Sequence, residues 1–224
     1  MTDALGQLLG SGVGVAISPI PVVAVILMLT TPRGKVTGVA FMLGWLVGLS
    51  VATGVVLLLA DGADDADSAA ADGAHIATLV VGLLFLALAV KQWKSRPKPG
   101  VEPELPKWMA GIDGFAPPKC FALGALLSGV NPKNLAMAVG AGVALAETGS
   151  SGGEMALGAL IFILVGSVTV AGPVLGLLVA PSRTAPMLEV AKRWLAENNA
   201  TVMIVLFTVL GATRVGEGLG SLFR

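Results

Sequence analysis

The sequence predicts an all-α polytopic membrane protein: six transmembrane helices in a 3+3 inverted-topology repeat, with helices 1 and 4 broken in mid-membrane. Three observations predict it. Apolar residues make up 55% of the 224 residues and charged residues only 12%, about half the charge of a soluble globular domain. The few charges are segregated, leaving six long windows almost free of them. Two of those windows, the first and the fourth, contain a proline motif introduced by a small polar residue, Ser18-Pro19-Ile20-Pro21 and Asn131-Pro132-Lys133-Asn134.

Each window is justified by length. Residues 4–32, 36–60, 73–90 and 155–182 contain no Asp, Glu, Lys or Arg. Residues 198–213 form a shorter window that the apolar tail extends, and 120–146 is interrupted only by Lys133. A helix needs about 20 apolar residues to cross the hydrocarbon core, so each window is one span. None of the runs alternates in the manner of a barrel strand. Mean hydropathy of +0.87 excludes a disordered chain and an ordinary soluble enzyme. The equal numbers of basic and acidic residues give no basic surface for nucleic acid.

Charge also orients the chain. The loops after spans 1, 3 and 5 hold eleven Lys and Arg, whereas the opposite side holds only Arg214 and Arg224. By the positive-inside rule these three loops are cytoplasmic and both termini lie outside a plasma (inner) membrane. The loop Asp61–Ala74 reads as external and acidic, without the spacing of a calcium loop. The chain divides into repeat one (1–92), a cytoplasmic connector (93–117) anchored by Trp93 and Trp108, and repeat two (118–224). The stretch Pro186–Asn198 reads as a short interfacial helix ahead of the last span. Gly44 and Gly48, four apart in span 2, read as a close packing face.

Three spans per half reverse the direction of the second half, the arithmetic of an inverted repeat. Ser or Asn immediately before proline is a favoured helix start, so Pro19 and Pro132 mark fresh helices at mid-membrane. Their N-termini would present unpaired N–H groups to an anion. Lys133 is the only charge deep within a span, at a cost of roughly 2.5–3.5 kcal/mol. No intramembrane carboxylate is available to it, so water, carbonyls freed at a helix break or a bound anion must serve. The expected substrate-binding set is Ser18, Pro19, Pro21, Asn131, Pro132, Lys133 and Asn134. On that reading Lys133→Met leaves folding intact or improves it.

One cysteine and one histidine exclude a Cys-rich or His-based metal centre. No paired carboxylates or Ser–His–acid set suggests an enzyme, and no cofactor is implied. The expected function is a membrane transporter.

Ser18-Pro19-Ile20-Pro21, Thr31-Pro32-Arg33-Gly34-Lys35, the stretch Phe41–Leu49 and Leu126–Asn134 together resemble the GAP family of sulfolipid- and glycopeptidolipid-addressing membrane proteins. The wider group is the LysE-type exporter superfamily, whose members carry Pro-Gly-Pro in the first span and Asn-Pro-Lys in the fourth. Ile20 stands where those exporters have glycine, which favours the GAP branch. The resemblance implies transport or addressing of a polar-headed, anionic lipid or glycolipid. It leaves open an exporter of small anionic or zwitterionic solutes, and a non-transporting accessory of a lipid-synthesis or export machinery. A homo-oligomer is also left open.

Overall fold

The computed structural model describes residues 2–61, 68–96, 109–146 and 152–222. Among them there is no strand, and every expected window falls on helix: α1 (Thr2–Ala16), α2 (Pro19–Leu29), α3 (Gly34–Asp61), α4 (Ser68–Lys94), α5 (Pro117–Gly129), α6 (Pro132–Ala146), α7 (Gly152–Val179) and α8 (Pro181–Leu222). A 3-10 turn, Met109–Gly114, precedes α5.

Among the described residues three stretches are long and apolar enough to cross a membrane, Gly34–Leu58, Gly152–Val179 and Ala200–Gly220. A bent pair, Leu5–Ala16 plus Pro19–Leu29, meets the same criterion when taken together, with a bend of 53° at the break. The chain is therefore a helical membrane protein. The second interruption, Val130-Asn131, separates α5 from α6. At 13 and 15 residues, each is too short to cross alone.

Two sequence expectations are corrected. The expected external loop Asp61–Ala74 is helical from Ser68, because its alanine-rich second half continues into α4; residues 62–67 lie outside the described residues. No separate interfacial helix occupies Pro186–Asn198: α8 runs unbroken from Pro181 to Leu222. Pro186 sits only one turn inside α8, where its missing N–H removes a single early bond. Residues 97–108 of the connector, Trp108 included, lie outside the described residues. At its start the Arg96 guanidinium stacks 3.9 Å from the Trp93 ring centroid.

The helices group into two compact units. One contains α1–α3, α5–α7 and α8 up to Ala196. Here α3 packs along α5 and also meets α6 and α7, α1 packs on α6 and α7, and α2 on α3 and α7. Phe41, Trp45 and Leu49, at four-residue spacing on α3, are wholly buried, as are Phe162, Val170 and Val174 on α7. Lipid tails are as apolar as these side chains, so close backbone approach, not desolvation, holds such helices together. The Gly44-xxx-Gly48 face supplies it. A methyl group on Gly44 would run into the Phe121 main chain, on Gly48 into that of Ala125, and on Gly124 of the facing helix into that of Phe41.

The other unit pairs α4 with α8 from Glu197. Phe85 stacks on Phe207 with ring centroids 5.8 Å apart. Gly211 admits Leu86, and Gly82 admits Val215. This seam again uses small residues, so the last helix of each half is built for a close partner.

Candidate functional site at the two helix breaks

The site begins with missing donors. In a continuous helix the carbonyls of Val15 and Ile17 would accept from residues 19 and 21, four positions on. Both are proline and have no N–H. The natural donor for Gly14, the Ser18 N–H, bonds Ala16 O instead at 2.8 Å. The end of α1 therefore turns three carbonyls, those of Gly14, Val15 and Ile17, away from their own helix.

Lys133 takes all three. Its ammonium donates to Gly14 O, to Val15 O at 3.3 Å and to Ile17 O at 3.2 Å, and the side chain is only 4% exposed. Two neighbours complete the arrangement. Ser18 Oγ donates to Val15 O at 2.7 Å, and Thr169 Oγ1 of α7 donates to Ala16 O at 2.7 Å. A cation at a helix C-terminus is also favoured by the helix dipole.

The second break follows the same logic with a local solution. The carbonyls of Leu127 and Ser128 would look to residues 131 and 132, of which Pro132 has no N–H. Asn134 Nδ2 serves both, at 3.3 and 3.2 Å, and Asn134 is fully buried. Asn131 caps α6 by accepting the Lys133 N–H on Oδ1 at 3.0 Å. Each polar residue of Asn131-Pro132-Lys133-Asn134 thus has a distinct partner: its own helix start, the end of α1 and the end of α5.

The structure brings Ser18, Asn131, Lys133 and Asn134 to the breaks, with Pro19 and Pro21 opening the first and Pro132 the second. It corrects two expectations about them. Ser18 occupies the N-cap position of α2, with φ −131° and ψ 91°, but makes no side-chain cap bond; its hydroxyl turns back to α1. The anion-receptive N-terminus of α2 is largely absent. Pro19 and Pro21 remove two of its four open donors, and the Val22 N–H bonds Ser18 O at 3.3 Å. Of that first turn only Ile20 retains an N–H free of both effects. Sequence reading missed Gly14, Val15, Ile17 and Thr169 as partners of Lys133 and the break. Counting back four from each proline would have found two of the carbonyls; nothing in the sequence singles out Thr169.

Asn134 Oδ1, buried, has no hydrogen-bond partner. Among the described residues no group of three or more His, Cys, Asp or Glu is placed to hold a metal ion.

This construction occupies both halves of the chain, and a family profile spans both as well, matching residues 8–220. The chain belongs to the Sap, sulfolipid-1-addressing protein family. The match includes both proline motifs and extends into α8, so the family's shared sequence is the whole helical assembly and not one motif. No curated protein and no solved structure matches the chain.

Proposed function

We propose that this member of the sulfolipid-1-addressing family is a transporter or flippase-like protein of the plasma membrane, acting on a polar-headed, anionic lipid or glycolipid. The observation that carries the reading is the Lys133 bridge: a buried cation of the fourth span holds the broken end of the first. An anionic head group that reaches Lys133 competes with the three carbonyls, and their release loosens α6 from α1. Binding and opening are then the same event. Asn134 Oδ1 offers an unused acceptor to a sugar hydroxyl.

Six spans in a 3+3 inverted repeat, of the LysE type, suit this mechanism. The packing supports that arrangement. The pairing of α1 with α7 answers that of α5 with α3, and α2 with α7 answers α6 with α3. Likewise α2 with α3 answers α6 with α7. The excess of Lys and Arg in alternate loops supports cytoplasmic loops after spans 1, 3 and 5, with both termini outside. Cysteines introduced one at a time within Asp61–Ala74 are expected to label from outside intact cells, and those within Lys94–Lys107 only after permeabilisation. Reversed labelling would invert the topology.

The central test uses vesicles of phosphatidylcholine containing a fluorescent sulfated galactolipid, with an impermeant reductant added outside. The protein is expected to speed transfer of protected label to the outer leaflet. A second reading, a non-transporting accessory of a lipid-export machinery, is favoured by one observation, the full engagement of the Lys133 ammonium by main-chain carbonyls. Vesicles in which the protein leaves the exchange rate unchanged would select the accessory and discard transport.

A further inference from the structure

The Thr31-Pro32-Arg33-Gly34-Lys35 segment plays no part in the helix breaks. It forms the turn between α2 and α3, and it walls a cavity of about 270 Å³. The turn is tightly specified. Thr30 Oγ1 donates to Leu27 O at 2.9 Å and Thr31 Oγ1 to Met28 O at 2.8 Å, satisfying the last carbonyls of α2. Gly34 is required because any side chain there would collide with the Leu29 main chain. Its N–H bonds Thr31 O at 2.9 Å. The turn therefore presents Arg33 and Lys35 in a fixed frame, both exposed.

The rest of the wall is apolar: Leu29 at the end of α2, Val36 at the start of α3 and Leu177 two residues before the end of α7. These are the ends of three stretches with the length and apolarity of membrane spans. With those stretches crossing the bilayer, a cavity bounded by their ends falls at its surface, at head-group depth. No carboxylate lines it. No ion pair of Arg33 or Lys35 occurs among the described residues.

We propose that this cavity binds the phosphate or sulfate of an anionic membrane lipid, with Arg33 and Lys35 holding the head group and Leu29, Val36 and Leu177 receiving the upper acyl chain. The guanidinium fork matches two oxygens of a tetrahedral anion and the ammonium adds a point charge. The N-terminus of α3 adds a favourable dipole. The apolar half of the wall is what selects a lipid over the free anion. The site stands whether or not the protein moves lipid between leaflets, since binding at one surface needs no opening of the Lys133 bridge.

The test is competitive retention by the full chain in nanodiscs of equal phosphatidylcholine and phosphatidylglycerol, read by native mass spectrometry. Wild type is expected to keep phosphatidylglycerol preferentially. The double variant Arg33→Gln, Lys35→Gln is expected to lose the preference by roughly tenfold, and Lys35→Gln alone to lose part of it. Both side chains are exposed, so helical content should not change. A second double variant, Lys91→Gln with Lys94→Gln, removes equal charge from the end of α4 and is expected to keep the preference. Equal loss in both double variants would mean charge count alone, and would overturn the site. Inorganic phosphate or sulfate that raises the melting temperature of lipid-free protein, with no selective lipid retention, would equally overturn it.

Discussion

Replacing Lys133 with methionine is expected to destabilise the protein, although it removes a buried charge. Removing the charge returns roughly 2.5–3.5 kcal/mol on insertion scales. Against that, the carbonyls of Gly14, Val15 and Ile17 each lose a donor, at residues of which Gly14 and Val15 are buried. A stranded buried acceptor costs about 1–3 kcal/mol, and only Val15 retains another donor, Ser18 Oγ. Two stranded acceptors cost about 2–6 kcal/mol, so the balance is a loss of about 1 kcal/mol, a few degrees in the melting temperature of the purified protein. This reverses the expectation from sequence alone, which counted the cost of the charge and not the cost of the carbonyls. Lys133→Arg retains a cation with more donors but must fit a larger head into a site 4% exposed, so it should fall between the two. A methionine variant as stable as wild type would show that the bridge does not hold the break.

Gly124→Leu is expected to be more damaging still. Even a methyl group at Gly124 would occupy the position of the Phe41 main chain, and at Gly44 that of Phe121. The obstacle is backbone, which has no rotamer to change, so α3 and α5 must separate along their whole seam. Overpacking of a side-chain contact costs about 1–3 kcal/mol, occasionally more, and a backbone collision belongs at the upper end. The expected result is loss of the wild-type peak on size exclusion for Gly124→Leu and a sharp fall in melting temperature for Gly44→Ala. Gly54→Ala, on the same helix with nothing within 4 Å of the added methyl, should be neutral or stabilising. Equal tolerance at 44 and 54 would remove the argument for a glycine seam.

The residues that made the architecture legible were those that break helices and those that carry charge. Charge-free windows led to the α-helices among the described residues because a membrane span cannot accept many charges; reading all six windows as spans went further than the three or four stretches that are long and apolar enough to cross. Ser18-Pro19 and Asn131-Pro132 located the two restarts because proline is accepted at a first helical position and not within. The same rule, applied two residues further, was available at Pro21: a second proline in the first turn of α2 removes another donor, and weakens that terminus as an anion receptor. Carbonyls freed at a helix break were one of the partners the sequence left open to Lys133, but which of them it meets was not legible. Its carbonyls lie more than a hundred positions away in sequence, and only tertiary packing sets α1 beside α6. Pro186 misled in the opposite sense, since a proline one turn into a helix looks like a boundary but costs α8 a single bond.

The two proline motifs are similar in plan but differ in what they leave over. The first releases carbonyls that its own residues do not fully satisfy; the second satisfies its own through Asn134 and has a lysine to spare. One half is therefore a net acceptor of hydrogen bonds and the other a net donor. Two copies of the first half, joined face to face, would enclose bare carbonyls, and two copies of the second would enclose a pair of repelling ammonium groups. Neither half is self-complementary, and a chain assembled from either one duplicated would be left with unmatched polarity in the membrane. The single polypeptide behaves in this respect as an obligate heterodimer whose two partners happen to be covalently joined.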